Sequence, residues 1–210
     1  MDKSQIAIDV FNKRAQQYQE KFMDVSAYAV MLDAFCEQLL PNAKLLELAC
    51  GPGNITKYLL NKRPDLQILA TDLAPNMLEL AKANNPGIET KLFDCRDINT
   101  LAEKYDGIMC SFCLPYLSKE EAIQLTKDAA HLLHPNGLLY LSTMEGDYTR
   151  SAWQQSSQGD ELFIYMHEAD YLLQALHDHG FDTVDTRRVI IEDVTDLVLL
   201  AAKWPPACSY

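Results

Sequence analysis

The 210-residue sequence predicts an α/β fold: a doubly wound, mostly parallel seven-stranded sheet, closed by a C-terminal antiparallel hairpin and preceded by an N-terminal helical cap. Three observations carry that prediction. The run Leu45-Leu46-Glu47-Leu48-Ala49-Cys50 leads an apolar strand straight into the turn Gly51-Pro52-Gly53, and continuous apolar runs of this kind belong to strands buried on both faces. Short apolar strands then alternate with helical segments as far as residue 143, the pattern of parallel strands joined by crossover helices. Thr183 to Ile191 and Asp196 to Ala202 are two further strands, separated by a four-residue acidic turn, and read as a hairpin.

Residues 4 to 40 read as helices, with Phe11, Ala15 and Tyr18 on one stripe and Tyr28, Met31, Leu32, Phe35 and Leu39 on a second. Pro41-Asn42 ends the pattern. A helical piece ahead of the first strand has no place in the sheet, so it is expected to lie across the sheet's C-terminal edge and cover part of whatever binds there. The first strand is Lys44 to Leu48, and a helix from Ile55 to Asn61 follows the glycine turn. Gln67 to Thr71 is the second strand and ends at Asp72. Ala74-Pro75 opens the next helix, proline suiting a first helical position, and Asn84-Asn85-Pro86-Gly87 closes it.

Thr90 to Phe93 and Tyr105 to Ser111 are the third and fourth strands. Ser118-Lys119-Glu120-Glu121 is a capping box, and its helix is expected to run to His134-Pro135-Asn136-Gly137, with His131 and His134 favouring the negative end of the helix dipole. Leu138 to Thr143 is the fifth strand. Residues 144–166 lack clear periodicity and read as a substrate-side insertion; Glu168 to His179 restores helical spacing, with Gly180 at its end. The organisation is one domain, 1–210: cap 1–42, core 43–203, insertion 144–166.

Thirty acidic against 18 basic residues give a net charge of -12, which repels phosphate backbones and anionic membranes. The expected partner is a small-molecule substrate, with no nucleic acid and no membrane, on a monomer or homodimer. No secretory signal or membrane-length apolar run is visible. Six cysteines, Cys36, Cys50, Cys95, Cys110, Cys113 and Cys208, follow no disulfide framework, which suits free thiols and a cytoplasmic location. Cys110-x-x-Cys113 has no second pair at ligand spacing, so no metal is expected.

A turn without side chains lets a ligand approach the backbone closely, and the helix after it aims free N–H groups at that space. The dinucleotide fingerprint places a third glycine where Thr56 stands. Asp72 lies nineteen positions beyond Gly53, at the end of the neighbouring strand, where an acceptor-only side chain can take both hydroxyls of a ribose.

These residues resemble motif I of the class I S-adenosylmethionine-dependent methyltransferases, a strand ending in a carboxylate, here Glu47, followed by a G-x-G turn, here Gly51 and Gly53. The resemblance covers residues 44 to 203, with a looser extension back to 11. It implies a Rossmann-like fold, S-adenosyl-L-methionine as cofactor and methyl transfer to an unidentified small-molecule acceptor. It also implies roles for individual residues. Asp72 would hold the ribose, Leu73 would lie against the adenine face, and Asp94 and the Cys95 backbone N–H would serve the adenine edge, with Asp97 as rival to Asp94. Ser111 and Phe112 would line the methionine arm, and Tyr18 would reach the methionyl carboxylate. Ala49 and Met77 complete the cofactor-binding set.

Transfer from a sulfonium is an in-line displacement in which positioning can supply most of the rate, so no triad is required and no catalytic residue is assigned. Where the acceptor must lose a proton, a base is needed, and Tyr116, Glu145, Asp147, Tyr148 and His167 are candidates. Two other classes fit parts of the pattern: a non-catalytic protein that binds S-adenosylmethionine or S-adenosylhomocysteine as a regulator, and a nicotinamide-dependent oxidoreductase.

Overall fold

Side chains of the apolar run 44–48 meet apolar partners on both faces, and this places β1 (Lys44–Leu48) at the centre of a sheet. Leu45 packs with Phe35, Leu59 and Ile68 on one face; Leu46 and Leu48 pack with Ile108, Leu125 and Leu139 on the other. The computed structural model describes residues 3–156 and 158–205. Along the chain β1 is followed by β2 (Gln67–Asp72), β3 (Glu89–Leu92), β4 (Tyr105–Ser111) and β5 (Leu133–Met144), then by a small pair, β6 (Ala152–Gln155) and β7 (Glu161–Ile164), and finally by β8 (Phe181–Ile191) and β9 (Val194–Lys203).

The main sheet has seven strands in the order β3-β2-β1-β4-β5-β9-β8, with β1 to β5 parallel and the last two antiparallel. The chain runs outward from β1 to β3 and then returns to β4 on the other flank of β1. The C-terminal ends of β1 and β4 therefore form the topological switch point, where open α/β sheets leave a crevice for ligands. The cap contributes α1 (Lys3–Phe22) and α2 (Ala29–Gln38). With α3 (Asn54–Lys62) and α4 (Pro75–Asn84), α2 covers one face; α5 (Lys119–Leu132) and α6 (Ala169–Asp178) cover the other.

Local signals explain several boundaries. Ser118 accepts from the Glu121 N–H at 3.2 Å while the Glu121 carboxylate accepts from the Ser118 N–H at 2.7 Å, so the capping box is complete. Pro75 occupies the first turn of α4. An adjacent N–H, that of Asn76, donates to the Asn12 side chain at 2.8 Å, which fastens α1 across the start of α4. The Arg63 guanidinium collects the Cys36, Leu39 and Leu40 carbonyls that α2 leaves open at its end.

Three expectations need correction. The helix after the capping box stops at Leu132, so His134 lies in β5; that strand starts five residues before Leu138 and shifts register against β4 between Tyr105 and Gly107. The last hairpin turns through Glu192-Asp193 alone, with Glu192 at φ +54, because a two-residue turn matches the strands' twist. The insertion contains the β6–β7 hairpin, which ion pairs fasten to α1: Asp160 accepts from Lys13 Nζ at 2.9 Å and Arg14 Nε at 2.7 Å.

Among the described residues no helix is long and apolar enough to cross a membrane. Cys36, Cys50, Cys95, Cys110 and Cys113 are buried free thiols; Cys208 lies outside the described residues.

Candidate functional site

A cleft of about 800 Å³, open to solvent, lies at the C-terminal ends of β1, β2 and β4 and is bordered by α1. Tyr18, Ala49, Gly51, Asp72, Leu73, Met77, Asp94, Cys95, Ser111 and Phe112 all line it. Residues up to 94 positions apart in sequence, Tyr18 and Phe112, are thus brought to one place by the switch point. Glu47 and Gly53 are not among the lining groups, and each has a different task.

The two glycines of the turn divide the labour. Gly51, at φ +53, faces the cleft, and a Cβ there would meet only the Tyr18 ring, at 3.7 Å. Its requirement is conformational, so Gly51→Ala should cost about 1–2 kcal/mol of stability, the left-handed penalty of an L side chain, read by denaturant unfolding. Gly53, at φ +76, faces inward instead, toward Asn85 and Ala81 of α4.

Glu47 points beneath the cleft floor, where its carboxylate accepts from Thr56 Oγ1 at 2.5 Å. Thr56 stands where a dinucleotide fingerprint has its third glycine, and it serves as partner to this otherwise isolated acid. Burial raises the Glu47 pKa to about 7 against the lowering effect of Thr56, and neighbouring Asp72 adds to the rise.

Asp72 is the hinge of the site. One of its oxygens accepts from the Gly51 N–H at 2.9 Å and the other from the Ala74 N–H at 2.8 Å. The Gly53 N–H donates to the Cys50 carbonyl at 3.0 Å, the Ile55 N–H to the Asn54 side chain at 2.9 Å and the Lys57 N–H to the Gly53 carbonyl at 3.0 Å. The expectation of free N–H groups aimed at the ligand is therefore corrected: these amides already have partners within the protein. The Leu73 N–H also bonds to this carboxylate, so of its roughly four lone-pair sites about one is left for a further donor. Desolvation raises its pKa, and Tyr18 is pushed up to about 12 by burial and then by the Asp72 charge.

At the other end of the cleft, Asp94 is held by Arg96, which donates to Oδ2 at 2.6 Å and to Oδ1 at 3.0 Å. Burial raises the Asp94 pKa, but the Arg96 bonds outweigh it and hold the carboxyl below the ordinary range. Asp97 is exposed and does not line the cleft, which leaves Asp94 as the acid in that position. Arg96 also donates to Ser4 and to Glu121, tying α1 and α5 to this corner. The sequence singled out neither Arg96 nor Phe93 as cleft residues, and neither fell in a recognised motif position.

Two non-glycine residues with positive φ, Ala49 at +52 and Phe112 at +55, sit in the cleft wall. Such conformations cost about 1–3 kcal/mol each and persist where surrounding structure enforces them. For Phe112 the enforcement is visible: its N–H donates to the Ser142 hydroxyl at 3.0 Å. Cys113 faces Cys95, with their sulfurs 3.3 Å apart, and both thiols line the cleft. Hydrogen bonding to Cys113 and burial push the Cys95 thiol well up, so both sulfurs belong to the apolar wall.

Among the candidate bases only Tyr116 lines the cleft, where the Phe11 ring stands edge-on to it at 5.0 Å. Glu145 is ion-paired with Arg188 at 2.5 Å, and Asp147 accepts from the Thr149 N–H and hydroxyl. Tyr148 accepts from the Lys119 N–H at 3.2 Å. His167 is fully buried, and burial lowers its pKa, so the ring is neutral. Its Nε2–H donates to the Leu114 carbonyl at 2.7 Å, leaving Nδ1 to accept from the Tyr171 hydroxyl. Among the described residues no three His, Cys, Asp or Glu side chains gather as a metal site.

Comparison with known proteins agrees with this geometry. The family described as "Methyltransferase domain" matches residues 45–137. The malonyl-[acyl-carrier protein] O-methyltransferase of Bacillus anthracis is 33% identical over 102 residues, 48% of this chain and 37% of that protein. The chain spans about a third of the length of the first curated relatives it matches. The DhpI–SAH complex superposes with a TM-score of 0.77 at 18% identity, covering 97% of this chain and 98% of that one. Magnesium protoporphyrin IX methyltransferase (ChlM) from Synechocystis PCC 6803 with bound SAM superposes with a TM-score of 0.70 at 20% identity over the same shares. At those identities the superpositions establish the shared fold.

Proposed function

We propose, from the premise that residues 45–137 are a methyltransferase domain in a class I methyltransferase fold, that the chain binds S-adenosylmethionine in the Asp72 cleft and transfers its methyl to a small molecule. The observation that carries this reading is the Asp72 carboxylate itself, seated on the Gly51 N–H at 2.9 Å. A dinucleotide's pyrophosphate needs the turn's amides; here an anion of the protein already holds the central one. What remains suits a nucleoside with a cationic tail. The capacity left on Asp72 suits a ribose hydroxyl, and its charge favours a sulfonium and an ammonium over phosphate.

The fit extends to the rest of the wall. Leu73, Met77 and Phe93 offer apolar faces to a purine, with Asp94 and the Cys95 N–H at its edge, while Ala49, Gly51, Ser111 and Tyr18 border the amino-acid end. When bound, the cofactor supplies an already activated methyl group. The chain's part is to hold donor and acceptor in line and to exclude water, which can provide most of the acceleration. The net charge of -12 favours neutral or cationic small molecules over nucleic acid or membrane, and the buried thiols suit the cytoplasm.

Asp72→Ala should weaken binding of S-adenosylhomocysteine by about 1–3 kcal/mol, since it strands the Gly51 and Ala74 amides together with the sugar hydroxyls. Titration calorimetry checks this, and unchanged affinity removes the ribose assignment. The activity is tested with donor labelled in its methyl group against pooled small metabolites. Label in an extractable small product supports the proposal. A blank beside normal cofactor affinity points instead to a regulatory binding protein.

A further inference from the structure

Asp196 occupies a position where the strand asks for an apolar residue. It shares a face of β9 with Val198 and Leu200, both of them core residues, and its register partners are Met144 on β5 and Val189 on β8. Only 5% of its surface is exposed. Its one hydrogen-bonded side chain among the described residues is Tyr28, whose hydroxyl donates to Oδ2 at 2.7 Å. A carboxyl with so little compensation in a core face is costly, and such conflicts between pattern and residue mark functional sites.

Its place in the fold says which function. Because β9 runs antiparallel to β5, Asp196 stands level with the C-terminal end of β5, at the rim that carries the cleft. Tyr28 does not itself line the cleft as it stands; its ring lies 5.3 Å from that of Phe112, the cleft residue beside Ser111, at the edge of the space an acceptor would enter. Tyr140, two positions before Ser142 on β5, has a buried hydroxyl without a hydrogen-bond partner among the described residues. Burial raises the Asp196 carboxyl, which makes it the more basic once ionised.

We propose that Tyr28 and Asp196 are the proton-accepting pair for a neutral, protic and largely apolar methyl acceptor, such as a phenol or a heteroaromatic N–H. This rests on the methyl-transfer reading above. The acceptor class follows from the cleft: among the described residues its one lining cation, Arg96, is already paired with Asp94 and Glu121, so an anionic acceptor finds no free counter-ion among them, while Phe11, Phe112 and Tyr116 offer aromatic surface. As the acceptor's lone pair forms its bond to the methyl carbon, the carbon–sulfur pair stays on sulfur. The acceptor's proton passes to Tyr28 Oη, and the Tyr28 proton passes to Asp196 Oδ2. Tyr28 is the catalytic residue of the pair and Asp196 the positioning residue behind it.

The test uses wild type, Tyr28→Phe and Asp196→Asn, each saturated with S-adenosylhomocysteine and titrated calorimetrically with phenol and with anisole, the same ring lacking the proton. Wild type should prefer phenol by about tenfold or more, and both variants should lose that preference while S-adenosylhomocysteine affinity stays within about twofold of wild type. A purely structural pair would not distinguish the two probes. Equal affinity of wild type for phenol and anisole, including no binding of either, overturns the proposal, as does a preference that survives in both variants. Failure of wild type to bind S-adenosylhomocysteine at all is a different result, and it overturns the donor reading and this inference with it.

Discussion

Gly53→Ala should destabilise the cofactor-free protein by about 2–5 kcal/mol, the sum of a left-handed conformation forced on an L residue and of overpacking in a region that cannot yield. At φ +76 the added Cβ would stand 2.4 Å from Asn85 Nδ2, 3.1 Å from the Ala81 Cα and 3.2 Å from its Cβ. Asn85 cannot easily move aside, because its side-chain amide donates to the Gly53 and Ala81 carbonyls at 2.9 and 3.1 Å. The contrast with Gly51→Ala is the informative part. Both glycines sit in the same turn, yet only Gly53 presses on α4. Denaturant midpoints that fall equally for the two variants would mean that the turn does not distinguish its two sides.

Glu47→Gln should change how stability depends on pH. The folded protein holds the Glu47 proton up to about 7, against an ordinary value of 4.5. A carboxyl raised in this way contributes stability that is complete below the unfolded pKa and is lost as pH rises through the folded one. Wild type should therefore lose on the order of 3 kcal/mol through this group as pH rises through that window, less whatever relaxation of the site recovers. Glutamine carries no charge to desolvate and can still accept from Thr56, so the variant should lack that component. The check is the difference in unfolding free energy between variant and wild type across the window. Asp196 is raised in the same direction and taking the difference cancels its contribution, whereas Asp72, whose charge adds to the Glu47 rise, enters the difference through that coupling. A difference that stays flat with pH would show that Glu47 ionises freely in the folded protein.

Much of this arrangement could be read from the chain because its signals are local. An apolar strand running into Gly51-Pro52-Gly53, an acid at the end of the next strand and Pro75 at a helix start are short-range patterns, and each fixes its own stretch of backbone. What stayed hidden depends on partners far away in sequence. Thr56 could be seen to break a fingerprint, but not to serve Glu47, because that bond needs α3 laid over β1. The amides of the glycine turn looked free until β2 brought Asp72 against them. Cys110-x-x-Cys113 drew attention as a pair, and folding adds a third sulfur from far along the chain, that of Cys95, 3.3 Å from Cys113. The β6–β7 hairpin has no alternation to announce it, since every residue of β6 is exposed and its partner strand is held from outside by α1.

The same distinction explains the list of candidate bases. Sequence could point to polar groups in and just after the insertion, and folding gives Glu145, Asp147 and His167 partners of their own. Asp196 escaped notice because one acid at the head of an apolar strand is ordinary in sequence. Only the register shows that its side chain turns inward, toward Tyr28.

Calorimetric titration of the wild-type protein with S-adenosylhomocysteine and, side by side, with NADH puts the question to the Asp72 cleft itself. The account predicts saturable one-to-one binding of the nucleoside thioether and no heat from the dinucleotide. Heat from NADH, with none from S-adenosylhomocysteine, would contradict it.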